Sequence, residues 1–182
     1  YNELKSSLGG FYNLKNKVVL ELGPGGYLGT GFLTIKNGAK KYYYLDNMSH
    51  IYISKQLKQK YLELVGNKKD LIYKNRFNSK YIQRISYDKK GNINLPNRSI
   101  DFIFSFFVLE HVKNFNKLCN ELSRVLKNGG YMYHNIDLSD HCFDKKNLFF
   151  LKIPSLIWRT LFSHTNRLRL SEFERIFKKN KF

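Results

Sequence analysis

The sequence predicts an α/β domain with a doubly wound, mostly parallel sheet and helices on both faces. Apolar runs of strand length alternate along the chain with segments of helical spacing, which is the order that builds such a sheet. Residues 100–108 are almost continuously apolar, as in a strand that a parallel sheet buries on both faces. The first predicted strand, 17–22, ends at the turn Gly23-Pro24-Gly25-Gly26. Glycines at such a turn let the backbone approach a ligand closely.

The remaining elements follow from hydrophobic periodicity and from residues that stop helices. Further strands are predicted over 40–45, 81–87 and 131–136. Helices are predicted over 28–37, 49–65 and 115–126, with stops at Gly38, at Gly66 and at the turn 128–130. A last helix is predicted to begin at Ser171, because serine caps helix N-termini and acidic residues follow in the first turn.

Length and composition favour one globular domain. The chain has 182 residues, of which 42 % are hydrophobic and 16 % aromatic, enough to build a core. We therefore expect residues 1–182 to form a single domain, with 138–170, where the periodicity loosens, as a substrate-covering insertion. The two cysteines favour a reducing compartment, and neither a signal-peptide pattern nor an apolar run of membrane-spanning length is visible. A cytoplasmic location is expected.

The formal net charge of +18 has two interpretations. A strong positive charge attracts phosphate-rich partners such as nucleic acid, nucleotide-linked metabolites or anionic membranes. The alternative is a general abundance of lysine, and it is favoured because the basic residues are scattered and no run of five occurs. The aliphatic and aromatic residues between 148 and 158 leave three interpretations open: core packing, a cover over substrate, and peripheral contact with a membrane.

The glycine turn is followed by an acid at the spacing of a nucleoside site. Asp46 ends the second predicted strand, about twenty residues after the turn. In sites of this layout the glycines admit the ligand to the backbone, and the acid accepts hydrogen bonds from ribose hydroxyls. Tyr27 stands at the position of the usual third glycine, and no second mononucleotide-binding half is evident. These departures disfavour a dehydrogenase.

Four segments together resemble the class I S-adenosylmethionine-dependent methyltransferases. They are ELGPGG at 21–26, Asp46, LPNRSIDFIFSFFVLEHV at 95–112 and ELSRVLKNGG at 121–130. The resemblance runs from about residue 17 to residue 140. It implies a Rossmann-like fold, S-adenosylmethionine as cofactor and S-adenosylhomocysteine as product. It also implies cofactor contacts at Glu21, Gly23, Gly25, Gly26, Asp46, Asn47, Asp88, Ser105 and Phe106.

In this family Glu21 and the glycines shape the turn around the methionine part of the cofactor, and Asp46 holds the ribose. Asp88 matches an adenine-side contact, while Ser105 and Phe106 line the cofactor from below. The resemblance also implies a final antiparallel hairpin at the sheet edge, which this sequence does not show. We therefore expect either that the natural chain continues beyond Phe182 or that this sequence has been cut.

Acceptor-side residues are expected after the predicted strands, since ligands of such sheets bind beyond the strand carboxyl ends. A base is required only if the acceptor must lose a proton, as a hydroxyl does. His111 is the leading candidate, and Asp137, Asp140 and His141 complete the predicted catalytic set. The alternatives are that His111 only orients its loop and that the later residues only shape a turn. No metal is expected, because the Asp and His residues show no known ligand spacing.

The C-terminal part carries weaker information about the acceptor. Arg167 and Arg169 are the predicted substrate-binding residues, because guanidinium groups bind phosphate and carboxylate in a bidentate manner; the alternative is a solvated approach to a helix. Segments 137–141 and 166–173, with Trp158, resemble methyltransferases found among surface-polysaccharide and capsule assembly genes. This resemblance implies O-methylation of a sugar or sugar-linked group, which can carry a phosphate or a nucleotide.

Two other functions stay open. A nucleic-acid methyltransferase is motivated by the charge and by aromatic residues that could stack on bases. Against it, no Asn/Asp-Pro-Pro-aromatic segment stands at 105–108, and neither Cys119 nor Cys142 follows a proline. A catalytically silent scaffold with the same fold is the second alternative.

Overall fold

The computed structural model describes residues 13–47, 53–66, 69–73, 76–139, 148–161 and 165–182. The chain divides into two compact units. The first comprises residues 1–105 and 125–133, and the second comprises 106–124 and 134–182. The single domain over 1–182 and the substrate-covering insertion at 138–170 stay predictions. Within the described ranges, no helix is long and apolar enough to cross a membrane.

The described strands form two sheets. In chain order they are β1 (Val18–Leu22), β2 (Lys41–Leu45), β3 (Ile72–Tyr73), β4 (Arg76–Phe77), β5 (Ile82–Ile85), β6 (Ile100–Phe106) and β7 (Leu126–Asn135). The main sheet has the order β5-β2-β1-β6-β7, and β3 and β4 pair as a small antiparallel hairpin. β1 is parallel to β2 and β6, and β2 is parallel to β5. This arrangement confirms the predicted Rossmann-like, doubly wound fold.

The strand order reverses beside β1, and three strands end level there. Leu22 at the end of β1 pairs with Leu45 of β2 on one side and with Ser105 of β6 on the other. Ligands of open α/β sheets bind beyond the carboxyl ends of the strands at such a reversal. At the other end of the strands, the Asp101 carboxylate accepts hydrogen bonds from the Val18 amide (2.8 Å) and the Lys127 ammonium (2.9 Å).

Two helices of the first unit pack through aromatic rings. They are α1 (Gly29–Lys36) and α2 (Lys55–Val65), and Ser54 caps α2 by accepting a hydrogen bond from the Leu57 amide. The buried rings of Phe32 and Tyr61 stack with centroids 4.2 Å apart. The Tyr61 hydroxyl also accepts a hydrogen bond from the Leu28 amide at 2.9 Å. These contacts fix α1 directly after the glycine turn.

The second unit is mainly helical. It contains a 3-10 turn at Leu109–His111, α3 (Phe115–Val125), a 3-10 turn at Phe149–Lys152, α4 (Ser155–Leu161) and α5 (Leu170–Lys179). Val125 itself falls in the first unit. α3 and α5 meet through Phe115, whose ring packs edge-on against Phe173 and Phe177. Trp158 of α4 is 1 % exposed, so this short helix is anchored by its single indole.

Three sequence-based boundaries are wrong. α3 ends at Val125 and passes directly into β7, so the glycines at 129 and 130 lie in the strand and do not stop the helix. Gly129 has a φ of 72°, which a strand accommodates at an irregularity. α5 begins at Leu170 and not at Ser171, because the Glu172 carboxylate accepts a hydrogen bond from the Arg169 amide and caps the helix there. The predicted third strand is shorter, and residues 49–52 of the second predicted helix lie outside the described residues.

Candidate functional site

The glycine turn after β1 is held by backbone conformations that favour glycine. Gly23 and Gly25 have φ values of 62° and 68°, in the left-handed region. The Gly23 amide donates to the Leu45 carbonyl at 2.8 Å, and the Gly25 amide donates to the Asp46 carboxylate at 2.9 Å. Both bonds attach the turn to the end of β2. The structure therefore brings the predicted glycines and the predicted ribose-binding acid into one site within the first unit.

The turn faces open space. A Cβ atom added at Gly25 or at Gly26 would meet no heavy atom within 4 Å. Arg84 of β5 donates to the backbone carbonyl of Asp46 at 3.1 Å and holds the residue in place. An accessible glycine backbone beside a fixed carboxylate fits a ligand that combines a polar tail with ribose hydroxyls. The residues present therefore fit the cofactor that the sequence implies.

Glu21 lies at the end of β1, beneath the turn, as a buried acid. It is 5 % exposed and accepts a hydrogen bond from the Tyr42 hydroxyl of β2. Burial raises the pKa of Glu21 to about 7, the Tyr42 bond opposes that rise, and the nearby Asp46 charge adds to it. Burial and the Glu21 charge also raise the pKa of Tyr42. Glu21 thus titrates near neutral pH next to the turn.

Tyr27 has a structural use at the position of the missing third glycine. Its ring stacks on Tyr61 with centroids 5.3 Å apart, and a Cβ atom at Gly29 would meet that ring at 2.2 Å. The ring therefore lies against the start of α1, where a residue larger than glycine at position 29 would require the ring to move. Tyr27 stays 47 % exposed, so one side of the ring remains available to solvent.

The other predicted cofactor residues fall at different places. Asn47 is exposed directly after Asp46. Ser105 is fully buried at the end of β6, opposite Leu22, and Phe106 is the last residue of that strand. Asp88 lies beyond β5 in an exposed turn, where its carboxylate accepts hydrogen bonds from the Asn92 and Lys90 amides, which lower its pKa. The role of each in cofactor binding stays a prediction.

In the second unit, the turn that carries His111 is clamped by Asn166. The Asn166 amide donates to the Glu110 carbonyl at 2.6 Å, and its side chain donates to the carbonyls of Leu109 (2.7 Å) and Val112 (3.1 Å). His111 is exposed on this turn. Its position is therefore set by a residue more than fifty positions further along the chain, which sequence reasoning did not single out.

Asp137 lies half-buried after β7 and accepts a hydrogen bond from the Ser139 amide at 2.7 Å. Asp140 and His141, the other two members of the predicted catalytic set, lie outside the described residues. Glu110 is 2 % exposed, and burial raises its pKa, with the Asp137 charge acting in the same direction. Within the described part of the chain, no cluster of three or more His, Cys, Asp or Glu side chains has the arrangement of a metal site.

Phe107 is a residue of unusual conformation that the sequence did not flag. It follows β6 directly, has a φ of 56° and is 53 % exposed, while its amide donates to the Asn135 carbonyl at 2.8 Å. A bulky aromatic residue in the left-handed region stores roughly 1–3 kcal/mol of strain, and such strain concentrates at functional sites. No sequence signal would have found it, because phenylalanine does not favour this region.

The two predicted substrate-binding arginines lie together. The Arg167 guanidinium donates to the Ile153 carbonyl at 2.7 Å and lies over the rings of Phe150 and Trp158. The Arg169 guanidinium donates to the Leu138 carbonyl at 3.3 Å and lies over Phe150 as well. Both groups are therefore held in fixed positions beside one aromatic ring.

Comparison with known families identifies the chain's family. A model of the methyltransferase domain matches residues 20–134, which is more than half of the sequence. The chain belongs to this methyltransferase domain family. A search of curated proteins finds no match.

Solved structures share the fold at low sequence identity. A chain of the Haloferax volcanii complex that contains the Trm112 methyltransferase activator matches with a TM-score of 0.61 at 16 % identity, over 97 % of this chain and 65 % of that one. An S-adenosylmethionine-dependent methyltransferase from Mesorhizobium loti matches with a TM-score of 0.60 at 14 % identity, over 100 % and 81 %.

The phosphoethanolamine N-methyltransferase 2 of Haemonchus contortus, in complex with S-adenosylmethionine, matches with a TM-score of 0.63 at 17 % identity, over 100 % of this chain and 37 % of that one. The chain thus spans less than two thirds of the Haloferax and Haemonchus chains. The family is that of the methyltransferase domain, and the fold is the one that these solved methyltransferases share.

Proposed function

We propose that the protein is a methyltransferase that binds S-adenosylmethionine at the glycine turn and Asp46. The observation that carries the proposal is the hydrogen bond from the Gly25 amide to the Asp46 carboxylate, at a turn that faces open space where the strand order reverses. When bound, the cofactor supplies a methyl group that its sulfonium already activates. The protein is then required mainly to hold cofactor and acceptor in position.

Different residues at the turn hold different parts of the cofactor. Asp46 accepts hydrogen bonds from ribose hydroxyls, and the glycine backbone admits the methionine part without steric conflict. Glu21 supports the turn from beneath through Tyr42. For a hydroxyl acceptor, His111 removes the proton, for which it is suited as an exposed side chain on a clamped turn.

Calorimetry with S-adenosylhomocysteine tests cofactor binding. Asp46→Ala is expected to weaken binding about ten-fold or more, because a hydrogen bond to a charged group contributes about 1.5–3 kcal/mol. Asp70→Ala is the matched control, since Asp70 is an exposed acid of the same unit outside the site; this variant should bind with the affinity of the wild type. A folded wild-type protein without measurable affinity would favour the scaffold alternative, and equal affinity in Asp46→Ala would remove Asp46 from the site.

For the acceptor we propose a sugar or sugar-linked group, methylated on oxygen during capsule or surface-polysaccharide synthesis. The resemblance of segments 137–141 and 166–173 supports it, as do two arginines suited to an anionic substituent. Incubation with labelled S-adenosylmethionine and a panel of nucleotide sugars tests the proposal by transfer of label. Label that enters RNA and no sugar would favour the nucleic-acid alternative, together with RNA binding of steep salt dependence.

Peripheral contact with a membrane is a further part of the proposal. Exposed aliphatic side chains concentrate in residues 148–161, namely Leu148, Leu151, Leu156, Ile157 and Leu161. Exposed aliphatic side chains on a protein of formal net charge +18 suit the interface of an anionic bilayer. Co-flotation with anionic vesicles, and its loss in a Leu156→Ser/Leu161→Ser variant, is the expected result; equal flotation of the variant would contradict it.

A further inference from the structure

We propose that a groove within the second unit binds the phosphate group of a phosphorylated acceptor, an inference that rests on the proposed methyltransferase function. The groove has a volume of about 780 Å³, which is the size of a small-molecule site. Its walls come from the residues before and at the start of α3, from α4, from the segment 165–169 and from α5. Segments distant in sequence thus converge on one concave surface.

Positive charge dominates the lining. Among the described residues that line the groove, Lys113, Arg167 and Arg169 are cations and Glu172 is the one carboxylate. One oxygen of Glu172 accepts the hydrogen bond from the Arg169 amide that caps α5. Within the described part of the chain, neither guanidinium forms an ion pair with a carboxylate. The groove therefore offers cations whose charge an anionic ligand would balance.

The two guanidinium groups are positioned in advance. Toward the described residues, each donates a hydrogen bond to one backbone carbonyl, of Ile153 for Arg167 and of Leu138 for Arg169. A guanidinium has five N–H donors, so donors remain for a ligand. Both lie within 5.4 Å of the Phe150 ring centroid, and Arg167 adopts a φ of 61°. Fixed, partly buried guanidinium groups lose little entropy when they bind an oxyanion in a bidentate manner.

The groove is connected to the candidate base through the chain. Asn166 lines the groove next to Arg167, and the same residue clamps the turn that carries His111. A ligand held by Arg167 and Arg169 would therefore lie beside the residue that binds the carbonyls of Leu109 and Val112. Phosphate recognition and placement of His111 would depend on the same short segment.

Fluorescence of Trp158 gives a direct assay. Trp158 is the one tryptophan of the sequence and lines the groove. Glucose phosphate is titrated at constant ionic strength set with chloride, because a protein of charge +18 attracts anions non-specifically. A saturable change is expected with glucose phosphate and none with glucose. Glucuronate binding as tightly as glucose phosphate would overturn the assignment to phosphate, as would the absence of a saturable change.

Substitutions of single arginines distinguish binding in the groove from the general attraction of anions to a positively charged protein. Arg167→Gln and Arg169→Gln are each expected to weaken glucose phosphate binding about ten-fold or more, and Arg167→Lys to weaken it less because it keeps the charge but not the fork. Arg175→Gln, an exposed arginine of α5 outside the groove, removes the same charge and should leave the affinity unchanged. Equal losses in all three glutamine variants would overturn the proposal.

The cofactor assay keeps the two proposals distinct. Each variant is checked for S-adenosylhomocysteine binding, which is assigned to the first unit, and its circular dichroism is compared with that of the wild type to show that the second unit is folded. A wild type that binds S-adenosylhomocysteine but gives no glucose phosphate response would refute the groove alone. A wild type with the opposite result would refute the cofactor site, and the groove would then be a phosphate site without that function.

Discussion

At the scale of single residues, the pairing of Glu21 with Tyr42 explains how an acid is tolerated at the end of a buried strand. Glu21 pairs in register with Tyr44, and Tyr42 is the neighbour two positions back on the same face of β2. The Tyr42 hydroxyl therefore reaches the Glu21 carboxylate. α1 leaves room for the Tyr42 ring only because residue 31 is glycine, where a Cβ atom would meet the ring at 2.4 Å.

Replacing Tyr42 by Phe tests this dependence. The variant leaves the buried Glu21 carboxylate without its donor, which is expected to destabilise the protein by about 1–3 kcal/mol. The loss should be larger at pH 8 than at pH 5, because the donor stabilises the ionised form of an acid whose pKa is about 7. Denaturant unfolding at both pH values measures it.

A Glu21→Gln/Tyr42→Phe double variant supplies the control for this prediction. In the Glu21→Gln background, the loss of stability caused by Tyr42→Phe should depend little on pH. If the cost of Tyr42→Phe were the same at pH 5 and pH 8 in the wild-type background, the hydroxyl would not be stabilising an ionised Glu21.

At the scale of elements, the 3-10 turn at Leu109–His111 depends on a contact from the segment before α5. The turn has internal hydrogen bonds from the His111 amide to Val108 (2.9 Å) and from the Val112 amide to Leu109 (3.3 Å). Short turns of this kind open easily, since few bonds hold them. Asn166 adds its own amide and two side-chain bonds, and so keeps the turn in one conformation.

Asn166→Ala is expected to loosen this turn while the helices stay folded. Two side-chain hydrogen bonds are lost, each contributing about 1 kcal/mol, so local opening should become roughly ten-fold or more frequent. Hydrogen exchange at the amides of His111 and Val112 measures it. Asn37→Ala, at the exposed end of α1, should leave that exchange unchanged; unchanged exchange in Asn166→Ala as well would show that the clamp is not needed.

The same scale shows what the sequence can predict. The parallel sheet and the glycine turn were predictable, because burial on both faces and positive φ angles leave strong local patterns. The start of α5 was not predictable, since both Ser171 and Arg169 could stand at the cap position. The bond from the Arg169 amide to the Glu172 carboxylate places the cap at Arg169. The Asn166 clamp and the Tyr42 donor also escaped prediction, because they depend on register and on contacts between distant segments.

At the scale of the whole molecule, the buried Glu21 and the half-buried His134 respond to pH in opposite directions. Glu21, in the first unit, has a pKa raised from 4.5 to about 7 by burial. His134, in the second unit, has a pKa lowered from 6.5 to about 4 by burial, with its ring stacked on Phe177. Between pH 4.5 and about 7, Glu21 therefore keeps its proton in the folded protein and releases it in the unfolded chain. Between pH 6.5 and about 4, His134 stays neutral in the folded protein and takes up a proton in the unfolded chain.

These signs predict the pH dependence of stability. The Glu21 contribution destabilises the fold as pH rises from about 4.5 to about 7, because the unfolded state loses its proton first. The His134 contribution destabilises it as pH falls from about 6.5 to about 4, because the unfolded state gains its proton first. Relative to wild type, Glu21→Gln should therefore gain stability with rising pH, and His134→Phe, which keeps a ring against Phe177, should gain it with falling pH.

Chemical denaturation across pH 4 to 8 measures the free energy of unfolding of the wild type and of each variant. Subtracting the wild-type value from that of each variant cancels the contribution of all other titrating groups. Where the two windows overlap, the double variant should follow the wild-type profile more closely than either single variant does, since the two slopes offset. If both difference curves sloped in the same direction with pH, the pKa of one of the two groups would not be shifted in the direction assigned to it. A flat curve for Glu21→Gln alone would show that the acid beneath the glycine turn is solvated, and that Tyr42 holds it for a reason other than charge.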